Sequence, residues 1–162
     1  GIIAISIYLI LYLIMNTGVF LVILNLRIDE RNVTSIKDLS GYSNNNFFMA
    51  VCMAIFVFSM AGIPPLSGFL GKLIILNVAI DNNLFYLAII GVISSVIAAF
   101  YYLRIVKLMF FDKTNDELDK DVNIESKVLL SVLSFLNISI LFFPEFFLDL
   151  SASITFSLFA VN

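Results

Sequence analysis

Four long apolar stretches limit what this chain can fold into. They cover residues 2–26, 47–80, 84–111 and 127–143, and none of them contains an aspartate or a glutamate. A transmembrane helix needs about 20 consecutive apolar residues, whereas a transmembrane strand needs about ten residues of alternating polarity. The stretches are long and do not alternate, and backbone in lipid must be hydrogen-bonded internally. The sequence therefore predicts an all-α integral membrane protein with four transmembrane helices, followed by an amphipathic C-terminal tail at 145–162.

The composition agrees with lipid as the surrounding solvent. Hydrophobic residues make up 61% of the chain and charged residues 13%, whereas soluble domains carry about 25% charged residues. Histidine, the commonest metal ligand and the usual general base, does not occur. The one cysteine, Cys52, lies inside an apolar stretch, where packing is the expected role. We therefore expect neither a metal centre nor a disulfide framework, and no basic face for nucleic acid.

The basic residues predict how the stretches cross the membrane. As one straight helix, residues 47–80 would span about 50 Å, too long for a single crossing of a hydrocarbon core of about 30 Å and short for two. Except for Lys72, every basic residue lies in or beside two polar loops. These are Arg27, Arg31 and Lys37 at the first loop and Arg104, Lys107, Lys113, Lys120 and Lys127 at the second. A single crossing puts both loops on the inner side, so we predict one long helix broken at Pro64-Pro65.

The double proline marks a discontinuous helix. Proline lacks an N–H and clashes with the preceding turn, so the carbonyls of Met60 and Ala61 lose their helical partners. Small residues around the break let helices or water approach the backbone. These are Gly62, Ser67, Gly68 and Gly71. Irregular backbone at membrane depth persists only where protein or a wet cavity surrounds it, and the pattern therefore indicates a broken helix that serves an ion path.

Lys72 is the most informative residue of the chain. It follows the break and lies about 12 Å from the Ile80 end of its stretch by helical rise, too far for its amine to reach the interface easily. A charge at the membrane centre costs about 2.5–3.5 kcal/mol on insertion scales. Because low polarity disfavours the charged form, such an amine is able to bind and release a proton. The alternative is a fixed ion pair with an acid on a neighbouring helix, which this chain's own apolar stretches do not supply.

A second polar group lies near the end of the third stretch. Arg104 and Lys107 are three residues apart and share a helix face, and Tyr101 and Tyr102 precede them. We expect an anchor at the inner membrane interface, where aromatic and basic residues collect. The alternative is a part in the inner side of a proton path. The pair Ser94-Ser95 is expected to serve helix packing or to hold water.

Two segments resemble a known family. Residues 62–69, followed by Gly71-Lys72, resemble the broken helix of the antiporter-like subunits of respiratory complex I. Residues 100–111 resemble the next helix of the subunit 2 type in particular, and residues 58–65 fit the same subunit. The multisubunit sodium/proton antiporters share the motif from the double proline to the lysine, and they are the alternative.

The resemblance implies the last four helices of a 14-helix fold, with Lys72 as the proton carrier of a subunit of NADH:ubiquinone oxidoreductase. A separate chain would supply the missing N-terminal helices. No cofactor is expected in this chain, because flavin, iron–sulfur clusters and quinone would belong to partner subunits. The expected location is the mitochondrial inner membrane, with a bacterial plasma membrane as the alternative. A third hypothesis is a scaffold bundle in which Lys72 is only a buried pair.

Overall fold

The computed structural model describes residues 2–28, 31–32, 35–113, 122–145, 147–149 and 153. The helices in these ranges are α1 (Ile2–Leu24), α2 (Tyr42–Asn45), α3 (Phe47–Ala61), α4 (Ser67–Asp81), α5 (Phe85–Phe111) and α6 (Ile124–Phe142). In the first loop, β1 (Arg27–Ile28) pairs antiparallel with β2 (Arg31–Asn32), and a 3-10 turn covers Ile36–Leu39. Most of the predicted tail, 145–162, lies outside the described residues.

Helices occupy all four apolar stretches. Among the described helices, α1 and α5 are each long and apolar enough to cross a membrane alone. Helix α3 is apolar but has only 15 residues, and α4 has the same length. Each half of the broken helix would span about 22 Å, which is less than the hydrocarbon core. The fold is thus helical as predicted, while the number of membrane crossings remains a prediction.

The chain is broken where the double proline predicts it. Helix α3 ends at Ala61, and Gly62 follows in the left-handed conformation with φ of 84°. The N–H groups of Gly62 and Ile63 donate to the carbonyls of Ser59 and Phe58, at 2.9 and 3.1 Å. This is the Schellman arrangement, which glycine favours because it has no Cβ. The chain then turns through Pro64-Pro65, and α4 begins at Ser67.

Helix α1 runs antiparallel to the broken helix and packs along both of its halves. Near the C-terminal end of α1, Val22 belongs to a hydrophobic cluster with Met53 of α3. Nearer its N-terminus, Leu11 belongs to a second cluster, against which Leu70 and Ile74 of α4 pack. Helices α3 and α4 therefore follow one another along α1.

Helices α5 and α6 complete the bundle in different ways. Leu130 of α6 lies in the first cluster and Ile140 in the second, so α6 also runs past both halves of the broken helix. Helix α5 contributes Val106 and Met109, close to its C-terminal end, to the first cluster. Most of the rest of α5 is exposed on this chain. The core thus lies around α3, and the N-terminal part of α5 lies outside the two hydrophobic clusters.

Candidate functional site

Two serines join the two halves of the broken helix. The hydroxyl of Ser59 on α3 accepts a hydrogen bond from the N–H of Gly68 at 2.9 Å and lies 3.3 Å from the hydroxyl of Ser67. Both serines are fully buried. Because the first N–H groups of a helix lack partners within it, the Ser59 side chain serves as a cap from the preceding helix. The start of α4 is thereby held against the end of α3.

Lys72 lies in the second turn of α4, and its side chain reaches back to the end of α3. Its Nζ donates a hydrogen bond to the carbonyl of Ala61 at 3.2 Å, across eleven residues of sequence. Pro65 would stand four residues on in a continuous helix and has no N–H, so this carbonyl needs another donor. The C-terminal end of a helix also carries partial negative charge. Within the described part of the chain, no carboxylate pairs with Lys72, and the break itself provides its acceptor.

The glycines around the break make room for these contacts. A Cβ on Gly62 would lie 3.0 Å from Cδ and 3.4 Å from Nζ of Lys72, so the absence of a side chain there leaves space for the lysine. A Cβ on Gly71 would lie 3.0 Å from Leu11 on α1, where the two helices pack closely. Pro64 and Pro65 themselves are exposed on this chain. Gly62 thus leaves room for the Lys72 side chain and Gly71 allows α1 and α4 to approach, whereas the two prolines lie on the exposed side of the break.

Two cavities meet at Lys72. One, of about 380 Å³, lies between α1, α4 and α5. Its polar lining consists of Tyr8, Tyr12, Lys72, Ser94, Ser95 and Tyr102. The other, of about 410 Å³, lies between α4 and α5 and extends along α4 past Asn77 to Ile80. Lys72 and Ser95 line both cavities. Because a water molecule takes about 30 Å³ in the liquid, each cavity has room for several.

Helix α1 contributes two tyrosines that the sequence analysis did not single out. The rings of Tyr8 and Tyr12 stack with centroids 6.0 Å apart, and both line the first cavity. The two residues are four apart in the sequence and so share a helix face, which is the one signal that could have marked them. Their phenol groups give this cavity polar walls on the α1 side.

The structure separates the four residues predicted together near the end of α5. Tyr102 lines the first cavity together with Lys72. Arg104 and Lys107 instead line a separate groove of about 490 Å³ with Phe100 and Leu103. Tyr101 is exposed and contacts the ring of Phe100 edge to face, with centroids 5.7 Å apart. Of these four residues, only Tyr102 lines a cavity with the lysine.

Residues 1–98 match the sequence model of a family described as NADH:quinone oxidoreductase/Mrp antiporter, transmembrane. That match covers more than half of the chain. The chain belongs to this family. The matched region includes α1, the break, Lys72 and the first half of α5, so it contains most of the lining of both cavities.

Two bacterial relatives of known name are similar to most of this chain. NADH-quinone oxidoreductase subunit N of Rhodospirillum rubrum is 51% identical over 130 residues, covering 80% of this chain and 27% of the relative. The subunit N of Pelagibacter ubique is 38% identical over 148 residues, covering 91% of this chain and 31% of the relative. The chain thus spans about a quarter to a third of the length of these relatives.

A solved structure shares the fold. A chain of respiratory complex I from Thermus thermophilus, solved with bound aureothin, superposes with a TM-score of 0.82 at 18% identity. The match covers 92% of this chain and 34% of that chain. This similarity supports the antiporter-like helical fold predicted from the sequence, although the two amino-acid sequences differ at most positions.

Proposed function

We propose that this chain is part of the proton-translocating membrane arm of an NADH:quinone oxidoreductase, in which Lys72 carries the proton. The observation that carries the proposal is the position of the Lys72 amine, which lies where two cavities meet and beside the helix break. The relatives that match most of this chain are named as subunits of NADH-quinone oxidoreductase. No redox group is assigned to this chain, and flavin, iron–sulfur clusters and quinone would belong to its partners.

The chemistry requires a group that exists in both protonation states. When charged, the amine donates to the Ala61 carbonyl, at the negative end of the α3 dipole. When neutral, it has a lone pair that accepts a proton from water in either cavity. Ser95, which lines both cavities, is placed to hold a water molecule next to the amine. The proton then passes from one cavity to the other through Lys72.

We propose the subunit 2 type, which corresponds to the subunit N named in the bacterial relatives. The proposed location is then either a bacterial plasma membrane, since the relatives come from bacteria, or a mitochondrial inner membrane. The family description also covers Mrp antiporters, so a sodium/proton exchanger remains the second candidate. Proteins that co-purify with the chain discriminate between the two, because flavin and iron–sulfur subunits accompany only the oxidoreductase.

The remaining helices of the fold would come from another chain or from a longer form of this one. Two observations support a membrane partner beside the bundle. An apolar groove of about 650 Å³ runs along α1 past Asn16 and Thr17. Pro64 and Pro65 are exposed at the break, although irregular backbone in lipid requires cover. Other complex I subunits and lipid complete the proposed surroundings.

Two substitutions test the proposed role of Lys72. Lys72→Met removes the titrating group, and Lys72→Arg keeps a charge that stays protonated at physiological pH. We expect both variants to assemble and both to lower proton translocation coupled to NADH oxidation by about a hundredfold, the lower end of the usual contribution of a proton-transfer group. The measurement is proton uptake by vesicles that contain the whole complex. The control is Lys37→Met, which removes an exposed lysine of the first loop.

The outcomes separate a proton carrier from a structural charge. If Lys72→Met translocates protons at the wild-type ratio to electrons, the proposal is wrong. If Lys72→Met fails to assemble while Lys72→Arg assembles and translocates normally, Lys72 belongs to a fixed ion pair, because removing one member strands the other. Only a residue that must change its charge is damaged by both substitutions.

A further inference from the structure

Two cations face outward on α5, away from the Lys72 cavities. Arg104 and Lys107 are exposed and, with Phe100 and Leu103, line a groove of about 490 Å³. Phe100 is 66% exposed and Leu103 is 47% exposed. In the described part of the chain, neither cation makes an ion pair or a hydrogen bond. The groove therefore combines an apolar half with two unneutralised charges on one helix face.

The length of α5 places these charges at a particular depth. The helix has 27 residues, or about 40 Å by helical rise. The hydrocarbon core takes about 30 Å, or roughly 20 residues. Phe85 follows the polar segment 81–83, which we place at one membrane interface. About twenty residues further along α5, the hydrocarbon core of the membrane ends near Arg104, at the other interface. Arg104 and Lys107 then lie at the level of the lipid phosphates, while Phe100 lies one turn deeper.

We propose that this groove binds one anionic phospholipid, with the phosphate on Arg104 and Lys107 and an acyl chain along Phe100 and Leu103. The arginine fork matches two phosphate oxygens, and the lysine adds a second point charge. A zwitterionic lipid carries its own cation next to the phosphate and gains less from two positive side chains. The site does not depend on the proposed proton transfer, because neither cation lines a cavity with Lys72.

Photo-crosslinking in the whole complex tests the proposal. A photoreactive amino acid replaces Leu103, and the complex is reconstituted into vesicles of phosphatidylcholine or of phosphatidylcholine mixed with phosphatidylglycerol. We expect mass spectrometry of the chain to show phosphatidylglycerol adducts several-fold above its share of the lipid. Double substitution Arg104→Gln with Lys107→Gln should reduce the adducts to that share. Lys113→Gln, an exposed basic position outside the groove, should leave the enrichment unchanged.

Each other result overturns the proposal. Adducts in proportion to lipid composition while Arg104 and Lys107 are both present mean that the cations do not select an anionic headgroup. Adducts to a protein mean that a partner subunit covers the groove instead. Loss of enrichment with Lys113→Gln as well as with the double substitution means that general surface charge, and not this site, attracts the lipid. The first two results need no charge variant, so the proposal stays testable even if the double substitution prevents assembly.

Discussion

At the scale of single residues, the glycines near Lys72 differ in how much room surrounds them. A Cβ on Gly68 would overlap the backbone carbonyl of Ser59 and come within 3.0 Å of the Met15 sulfur. A Cβ on Gly91 would meet only Leu76, at an ordinary 3.5 Å. Backbone cannot move aside as a side-chain tip can, so only the first glycine is required by packing.

Gly68→Ala should therefore separate α4 from α3. We expect a loss of stability of about 1–3 kcal/mol, the usual cost of overpacking a tight contact, and lower retention of the chain in the heated complex. Gly91→Ala is the matched control, because alanine favours a helix over glycine by about 1 kcal/mol and meets no backbone. Equal heat stability of the two variants would contradict the close approach of Gly68 to Ser59.

At the scale of elements, α3 and α4 act as one broken helix whose halves are joined by side chains. Ser59 caps the Gly68 N–H, and Lys72 caps the Ala61 carbonyl. The two contacts run in opposite directions across the break, so each half satisfies a backbone group of the other. The discontinuity is therefore held by particular hydrogen bonds and does not require a loose loop.

Ser59→Ala should weaken this joint. A buried N–H left without a partner costs about 1–3 kcal/mol, and we expect the chain to dissociate from the complex at lower temperature than the wild type. Ser94→Ala is the control, because the Ser94 hydroxyl donates to the Ile90 carbonyl of its own helix at 2.8 Å and is exposed. If both variants keep wild-type heat stability, Ser59 does not serve as the cap.

At the scale of the whole molecule, the first polar loop lies against the C-terminal end of α5, where the second polar loop begins. The N–H of Gly41 in the first loop donates to the carbonyl of Leu108, near the end of α5, at 2.9 Å. The packing of α1 along α3 and then α4 supports a single crossing by the broken helix. The segment 81–83, which joins α4 to α5, then lies at the opposite end.

Labelling from each side of the membrane tests this arrangement. We expect a membrane-impermeant maleimide to label Lys37→Cys and Lys113→Cys from the inner side and Asn82→Cys from the outer side. All three positions are exposed, whereas the native Cys52 is buried and serves as the unreactive reference. Labelling of the two loop positions from opposite sides would exclude the single crossing.

Much of the fold was predictable because lipid restricts the choices. Backbone in hydrocarbon must bond internally, so long apolar stretches became helices, and the double proline ended one of them locally. The exceptional position of Lys72 was also evident, since a cation inside an apolar stretch needs no structure to be noticed. These features depend on residues close together in the sequence.

The sequence by itself determined the helices, the break and the lysine, and the tertiary structure decided what surrounds that lysine. The Ala61 acceptor, the tyrosines of α1 and the separation of Tyr102 from Arg104 all depend on which helix faces meet. A soluble helix reveals its inward face by amphipathic spacing. These helices are apolar nearly all round, because both lipid and protein accept the same side chains, and the pattern therefore left their orientation open until the packing of whole helices set it.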